Sequence, residues 1–448
     1  MIMKVTFATE ISDNPLHKIL EGIPARSADL TPAPVRHYSL PYFSIDKVLK
    51  LYLYIFYTNP PRSSLKGSEM NEIEREREMV RALAVKTAQK VIQPRAAEID
   101  ATGEIPQDLI ETLGKQGLLS ILLPEAYGGT NGDMTSFCFV IEEIAKICGS
   151  SSLLILAQGI GILPIWFGGS ATQKERYFIQ ISEKNHLTAF GWNESEGSSD
   201  TTFIKTSAKK EGKDYLLNGR KCFITNGSIA QIYSVFALTH PDRGREGISA
   251  FVMEDGTPGL RFGEKEKKLG MRGTVTTDVL LENCKISRGN LLGEEGEGWK
   301  FAMNTLNRSR PAMGSQAVGI AQGALDYAIH YANERKQFKK PISSFQAIQF
   351  MIADMASQIE AARALVYQAA GQMDAGLEGT EKLSAISKLF ASDVAMKVTT
   401  DAVQILGGYG YMKDYPVERM MRDAKVTQIY EGANQFQRWV IAQQLLKG

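Results

Sequence analysis

The feature that most constrains the fold is a run of short β-type segments, from about 187 to 286, that lies between two long stretches of helical pattern. Asn-Gly, Asp and Gly turns separate these segments, and no helical period interrupts them. Strands without helices between them favour an antiparallel barrel or sandwich over a βαβ domain. The predicted strands cover 187–192, 215–217, 221–225, 232–238, 248–253 and 276–281.

Helical patterns occupy both sides of this β region. On the N-terminal side, alternating charge leads into an amphipathic helix from Asn71, and further helical patterns cover 106–118, 133–148, 152–167 and 172–183. On the C-terminal side, two long apolar stripes predict a bundle, and Gly407 and Gly408 end the second helix. The order predicts an α+β protein with an N-terminal helical domain (70–186), a middle antiparallel β-barrel or sandwich domain (187–297) and a C-terminal four-helix-type bundle (298–448).

Residues 1–69 differ from the rest of the chain. They hold 7 of the 16 prolines and show no sustained helical or alternating period. We interpret them as an appended, disordered extension or an upstream start, with Met70 as the effective beginning. Their apolar run at 48–57 is too short to span a bilayer, so the sequence predicts no membrane span. Six acidic residues against eight basic ones make this segment a poor transit peptide.

Composition excludes several classes of function. The 51 basic and 50 acidic residues nearly cancel, so the charge does not indicate nucleic acid or a membrane surface as the main partner. The four cysteines are too scattered for a disulfide framework or a CxxC metal site, which favours a reducing compartment. We predict a cytoplasmic protein, or a mitochondrial matrix protein if the source is eukaryotic. No HExxH, GxSxG or GxxxxGK[ST] motif is present, and no metal site is predicted.

The segment QIYEGANQ at 428–435 places one carboxylate, that of Glu431, between an apolar pair and a glycine. We expect Ile429 and Tyr430 to be buried at a helix end. Gly432 relaxes the backbone restriction, and a turn there would project Glu431 into a cavity. Taken alone, a glutamate is more often solvated than catalytic.

Other segments carry polar or basic groups in patterns that also have ordinary structural explanations. FGWNESEGSSD (190–200) follows a strand as a polar loop, and KCFITNG (221–227) is a strand that enters an Asn-Gly turn. RKQFKKPI (335–342) is either a basic helix end or a phosphate-binding loop. QILGGYGY (404–411) is compatible with a simple C-cap, and LNRSRP (306–311) with a surface ion pair.

Together and in this order, the segments resemble the motifs of the acyl-CoA dehydrogenases, which are FAD-dependent flavoproteins, across about residues 70–448. The resemblance implies that Glu431 is the catalytic base. The residues it implies in FAD binding are Phe190, Trp192, Asn193, Ser199, Phe223, Thr225, Arg335, Gln337, Phe338, Gln404, Gly408, Ala433 and Gln435. The residues it implies in binding acyl-CoA are Ser199, Leu306, Asn307, Arg310, Tyr430 and Gly432, with Arg310 near the adenine and phosphates.

The resemblance also implies a reaction and an assembly. Glu431 would remove the α-proton of an acyl-CoA thioester, flavin N5 would take the β-hydride, and an electron-transfer flavoprotein would reoxidise the flavin. Phe223 would cover the isoalloxazine ring, with the Thr225 hydroxyl near N5. Segments 335–342 and 404–411 would contact the FAD of a neighbouring subunit, which implies at least a homodimer and usually a tetramer. The alternatives are an oxidase that uses oxygen and a non-catalytic flavin-binding scaffold.

Some positions depart from the motifs of the resembled family. Asn193 and Ala433 stand where the family has threonine, and Lys339 stands where it has glycine, which leads us to expect local differences in the flavin site. The helix that helps to wall the acyl pocket in the family corresponds to 150–167 and contains no charged residue, so an apolar acyl group is favoured. Gly159 and Gly161 either make room for a branched or cyclic tail or mark close helix packing.

Overall fold

The computed structural model describes residues 71–197 and 203–446. Asn71 caps the first helix, because its side-chain oxygen accepts a hydrogen bond from the N–H of Glu74 at 2.9 Å. A π-helical turn, Ala88–Ile92, then continues the chain towards the second helix. The helices of this first part are α1 (Glu72–Thr87), α2 (Ala96–Thr102), α3 (Gln107–Lys115), α4 (Met134–Ala145), α5 (Gly149–Gly168) and α6 (Ala171–Lys184).

A sheet follows the first helices. Its strands are β1 (Thr188–Gly191), β2 (Ser207–Glu211), β3 (Asp214–Thr225), β4 (Ile232–Leu238), β5 (Ile248–Glu254), β6 (Leu260–Phe262), β7 (Thr276–Ile286) and β8 (Leu291–Leu292). They are arranged in the order β6-β7-β3-β2-β4-β5-β8, and β1 pairs with β4. Both β1 and β2 run parallel to β4, whereas the other pairs are antiparallel. The predicted order of helices, strands and helices is confirmed, with a mixed sheet in place of a purely antiparallel one.

Strand β3 is longer than the sequence pattern indicates. The two predicted runs at 215–217 and 221–225 form one strand, which pairs with β7 through two register shifts. One shift lies between Lys221 and Ile224 and includes Phe223, whose φ of 57° interrupts the extended backbone. Strand β2 was missed because Lys209, Lys210 and Glu211 are exposed, so that strand shows no apolar alternation.

Helices return after the sheet and form a bundle. They are α7 (Gly298–Glu334), α8 (Gln346–Asp374), α9 (Glu381–Leu406), α10 (Pro416–Thr427) and α11 (Asn434–Leu446), and a short hairpin of β9 (Lys336–Gln337) and β10 (Lys340–Pro341) separates α7 from α8. Helix α9 ends at Gly407, whose φ of 61° is a conformation that glycine adopts readily. The apolar stripes of α8 and α9 are buried at Met355, Ile359, Val366, Val394, Val398, Ala402 and Ile405.

Helix α5 is a central element of the core. Its residues from Gly149 to Ile165 are all buried, and its Gln158 amide oxygen accepts the N–H of Thr188 at 2.8 Å, which joins the helix to β1. In the described part of the chain, this is the one helix long and apolar enough to cross a bilayer, with a mean hydropathy of 1.6, but 83% of that window is buried inside the protein. A Cβ on Gly159 would meet Phe137 at 2.6 Å, and one on Gly161 would meet Thr188 at 2.3 Å. Both glycines therefore allow close packing.

Candidate active site

The segment that carries Glu431 is a strained turn between α10 and α11. Glu431 has a φ of 55° and Gly432 a φ of 86°, so two consecutive residues are left-handed. For a residue with a side chain, this conformation costs roughly 1–3 kcal/mol and persists only when neighbouring groups hold it. The Gln437 amide donates to the carbonyls of Glu431 and Gly432 at 3.1 and 3.0 Å, and the Lys388 ammonium donates to the Gly432 carbonyl at 2.8 Å. The expectation that Ile429 is buried is wrong: it is 56% exposed, because α10 ends at Thr427 and Ile429 lies in the following turn.

The Glu431 carboxylate faces one hydroxyl and two cations. The Ser309 hydroxyl of α7 donates to Glu431 Oε2 at 2.8 Å. Burial raises the pKa of Glu431 above its ordinary 4.5, while the Ser309 hydrogen bond and the charges of Arg310 and Lys388 act in the opposite direction. The carboxyl group therefore binds a proton more strongly than a solvated glutamate does, which suits a general base.

Arg310 is a buried residue of α7. It is only 3% exposed, and its Nη1 donates to Asn307 Oδ1 at 2.6 Å. Burial lowers the pKa of Arg310 to about 10, and the charges of Glu431 and Glu381 oppose that shift. The guanidinium is thus buried near Glu431 and not exposed on the surface, and the expected contact of Arg310 with the CoA phosphates stays a prediction. Leu306, which precedes Asn307 in the chain, is half-buried.

A chain of polar groups connects the turn to α5. The Tyr430 hydroxyl donates to Oε1 of Gln316, a fully buried residue of α7. The Gln316 amide nitrogen in turn donates to the Ser152 hydroxyl at 2.8 Å. These bonds fasten α5, α7 and the Glu431 turn to one another beside the base.

The loop after β1 is held by a buried ion pair. The Lys221 ammonium donates to Glu194 Oε1 at 2.7 Å, and Glu194 accepts the N–H groups of Lys205 and Thr206 at 2.7 and 3.1 Å. The Asn193 carbonyl accepts the N–H of Cys222 at 2.8 Å, which brings this loop against β3. Ser199, expected to bind flavin and substrate, lies outside the described residues.

Trp192 does not present its ring to a ligand. The side chain is only 7% exposed, and its ring packs edge-on against Phe236 at a centroid distance of 5.1 Å. The Phe190 ring also packs against the Phe236 ring, at a centroid distance of 5.2 Å. The indole therefore belongs to the core, and the expected cofactor contact of Trp192 stays a prediction for its backbone alone.

Phe223 presents an aromatic surface at the end of β3. Its φ of 57° turns it out of the strand, and it is 64% exposed. Thr225 is half-buried two residues further on, at the end of the same strand. An exposed aromatic ring beside a hydroxyl fits the flat ring system of a flavin, so the residues present agree with the implied cofactor.

The two segments expected to act on a neighbouring subunit meet in a groove of about 620 Å³. Arg335, Gln337, Phe338 and Gly408 line it, whereas Gln404 is exposed one helical turn before Gly408. The Arg335 guanidinium lies over the Tyr409 ring, 5.2 Å from its centroid. Among the residues described as lining this groove, none belongs to the Glu431 turn or to β3.

Lys339 keeps the loop conformation that glycine would favour. Phe338 and Lys339 have φ values of 49° and 64°, and they connect β9 to β10 as the two central residues of a tight hairpin turn. The turn leaves Phe338 87% exposed at the groove. The lysine therefore tolerates the left-handed backbone and does not change the loop.

The remaining predicted residues lie at the start of α11. Ala433 is half-buried in the turn, and Gln435 is exposed in the first turn of the helix. Sequence reasoning missed Ser309, Lys388, Gln316 and Gln437, which contact the Glu431 turn directly. The sequence offered no local signal for these four residues, because Lys388 lies outside the apolar stripe of α9 and only tertiary packing brings them to the turn.

Comparisons with known proteins agree with this arrangement. Three family models match: acyl-CoA dehydrogenase N-terminal domain at 74–184, middle domain at 189–284 and C-terminal domain at 296–446. A cyclohex-1-ene-1-carbonyl-CoA dehydrogenase of Syntrophus aciditrophicus is 48% identical over 390 residues, covering 87% of this chain and 94% of that protein.

Solved structures give the same result. The butyryl-CoA dehydrogenase of Megasphaera elsdenii is 42% identical with a TM-score of 0.81, and the match covers 85% of this chain and 100% of that one. A chain from a study of the electron transferring flavoprotein of Acidaminococcus fermentans is 44% identical with a TM-score of 0.82, covering 86% and 100% respectively. The chain therefore belongs to the acyl-CoA dehydrogenase family, whose cofactor is FAD.

Proposed function

We propose that this acyl-CoA dehydrogenase converts a compact, apolar acyl-CoA thioester to its 2-enoyl-CoA, with Glu431 as the base that removes the α-proton. The observation that carries the proposal is the Glu431 carboxylate, which is held in a left-handed turn and bonded to Ser309 at 2.8 Å. A structural glutamate in this position would gain nothing from a strained backbone, whereas a base needs a fixed direction.

The groups around Glu431 support the steps that the chain itself performs. The backbone N–H of Glu431 donates to no acceptor within 71–197 and 203–446, so it is available to the thioester carbonyl as the negative charge develops there. An apolar acyl group that expels water would further increase the proton affinity of the carboxylate. Bound FAD supplies the acceptor for the hydride of the β carbon. Phe223 and Thr225 would hold its ring on the side of β3.

The groove between α7 and α9 supports an assembly in which each subunit completes the cofactor site of another. Its exposed Phe338 and its Arg335 guanidinium provide a surface for an adenine and a cation for a pyrophosphate. We infer a homo-oligomer of at least two chains, and a tetramer as the assembly usual in the resembled family.

A compact acyl group is favoured by two observations. The Tyr430–Gln316–Ser152 hydrogen bonds join α7 to α5 and to the Glu431 turn, and we infer that a long acyl chain could pass between the two helices only by breaking them. The relatives described above act, by their names, on a six-membered ring and on a butyryl group. We therefore place short straight chains and cyclic carboxylates ahead of long chains.

An electron-transfer flavoprotein is the proposed electron acceptor, and a reducing, cytoplasmic location is proposed with it. The proposal of an acceptor protein is supported by the similarity to a chain studied together with an electron transferring flavoprotein. An oxidase would instead release peroxide when its reduced form meets oxygen without any other acceptor, and that measurement separates the two reactions.

The test is anaerobic flavin bleaching with butyryl-CoA and with cyclohexanoyl-CoA. We expect the wild-type holoenzyme to bleach, and Glu431→Gln to retain FAD without bleaching, because a neutral amide cannot accept the α-proton. A Glu431→Gln variant that bleaches at the wild-type rate would disprove the base assignment. If the wild-type protein binds FAD but neither acyl-CoA bleaches it, the result would favour the non-catalytic flavin-binding scaffold.

A further inference from the structure

Lys388 is a fully buried lysine of α9 that contacts the Glu431 turn. Its ammonium donates to the Gly432 carbonyl at 2.8 Å and to Asn434 Oδ1 at 2.9 Å. Asn434 is fixed in turn, because its amide nitrogen donates to Ser392 Oγ at 2.9 Å and to Asp393 Oδ1 at 2.8 Å. The ammonium thus binds both ends of the segment that leads from Glu431 into α11.

The charges around Lys388 make it an electrostatic partner of the base. Glu431 and Asp393 favour its protonated form, whereas Arg310 and burial oppose it, and the pKa of Lys388 falls to about 7. On the other side, Lys388 and Arg310 favour the ionised form of Glu431. Asp393 also binds the Gln428 amide at 2.6 Å and the Arg438 guanidinium at 3.0 Å, so part of its charge is directed away from Lys388.

We propose that Lys388 is a positioning residue for the reaction: its ammonium fixes the Glu431–Gly432 turn, and its charge favours the ionised form of the Glu431 carboxylate. The inference rests on the proposed role of Glu431 as the base. A buried lysine is costly unless it is paired, and the two acceptors of its ammonium, the Gly432 carbonyl and Asn434 Oδ1, are both neutral. A neutral donor could hold the Gly432 carbonyl equally well. The free-energy cost of burying the Lys388 charge is therefore explained if that charge stabilises the ionised Glu431 carboxylate.

Two neutral variants separate the charge from the hydrogen bond. Lys388→Gln retains an amide that can donate to the Gly432 carbonyl, whereas Lys388→Met retains neither function. Lys388→Arg keeps the charge with a different shape. Ser387→Ala is the matched control, since it removes a buried hydroxyl next to Lys388 whose hydrogen bond, to the Ser384 carbonyl at 2.8 Å, stays within α9.

Two readouts are measured on each holoenzyme. The first is the infrared band of the protonated Glu431 carboxyl group, identified by its loss in Glu431→Gln and followed against pH in the absence of substrate. The second is the pH dependence of the rate of anaerobic flavin bleaching. If none of the acyl-CoA substrates bleached the flavin of the wild-type protein, the proposed function would fail. The infrared titration would still test the effect of Lys388 on Glu431.

In Lys388→Gln we expect the carboxyl group to stay protonated to higher pH, and the bleaching rate on the acid side of the profile to fall about tenfold for each unit of that displacement. Lys388→Arg should titrate close to wild type, and Ser387→Ala should be unchanged in both readouts. If Lys388→Met does not fold, Lys388→Gln provides the comparison. A folded Lys388→Gln whose Glu431 titrates as in wild type would overturn the proposal and leave Lys388 with a purely structural role.

Discussion

At the scale of single residues, the role we propose for Glu431 depends on how this residue is held and not only on its presence. Its backbone is left-handed, its carbonyl is bound by Gln437, and its carboxylate is bound by Ser309. Each contact restricts the conformations of the Glu431 side chain or of the turn, so the orientation of the carboxylate is set before any substrate binds. The departures at Lys339 and Ala433 leave this arrangement intact, because neither side chain takes part in it.

Ser309 provides a test at this scale. Removing its hydroxyl in Ser309→Ala takes away a hydrogen bond that favours the ionised carboxylate, so the pKa of Glu431, already raised by burial, should rise further. Because the base acts only when deprotonated, the acid side of the pH–rate profile should move to higher pH, with a loss of about tenfold at fixed acid pH for each unit of displacement. The measurement is kcat/KM for butyryl-CoA from pH 5 to 9.

The controls for Ser309 lie on the same helix. Ser315→Ala removes a buried hydroxyl whose bond, to the Ala312 carbonyl at 2.7 Å, stays within α7, so it should leave the profile unchanged. Ser309→Thr keeps the hydroxyl and should restore the wild-type profile. An unshifted profile in Ser309→Ala, with Glu431→Gln inactive, would show that the hydrogen bond does not tune the base.

At the scale of elements, we propose that the contact of α5 with α7 limits the length of the acyl chain. Replacing Gln316 by Ala opens space beside Tyr430, and each methylene newly buried contributes roughly 0.8 kcal/mol. We expect the ratio of kcat/KM for octanoyl-CoA to that for butyryl-CoA to rise at least tenfold. The loss of three buried hydrogen bonds, to Tyr430, Ser152 and the Gly149 carbonyl, should also lower the free energy of unfolding by about 1.5–4.5 kcal/mol.

A variant of similar volume isolates the effect of space. Gln316→Met fills the position without the polar bridge, so it should share the loss of stability but keep the preference for butyryl-CoA. If both variants changed chain-length preference equally, the hydrogen bonds and not the volume would set specificity. If neither changed it, the acyl group would not extend towards Gln316.

The elements also show what a sequence can and cannot predict. Strand β4 has the predicted bounds, because buried apolar residues fill it and turns limit it on both sides. Strand β3 was divided in two at 218–220, since Asn218 and Gly219 have the local pattern of a turn, whereas in the structure they form a register shift and the pairing with β7 continues. The partners of the base were missed for a related reason. Ser309 and Glu431 are 122 positions apart, and only the packing of α7 against the turn brings them together.

At the scale of the whole molecule, the residues that line the groove of Arg335 and Phe338 include neither Phe223 nor any residue of the Glu431 turn. If FAD requires both regions, one chain supplies the base and the ring platform, and another supplies the groove. Such an exchange is expected only in an oligomer with a symmetric interface, in which each groove faces the site of its partner. A mixture of two defective chains can therefore reveal it.

One variant, Glu431→Gln, loses the base but keeps the groove, whereas the double variant Arg335→Ala with Phe338→Ala keeps the base but loses the groove. Each should be inactive alone, the second through loss of FAD. Co-expressed in equal amounts, they should recover about a quarter of wild-type activity, because half of the dimers are mixed and each mixed dimer completes one of its two sites. Purified mixed oligomers without activity would mean that the groove serves its own chain or does not bind the cofactor.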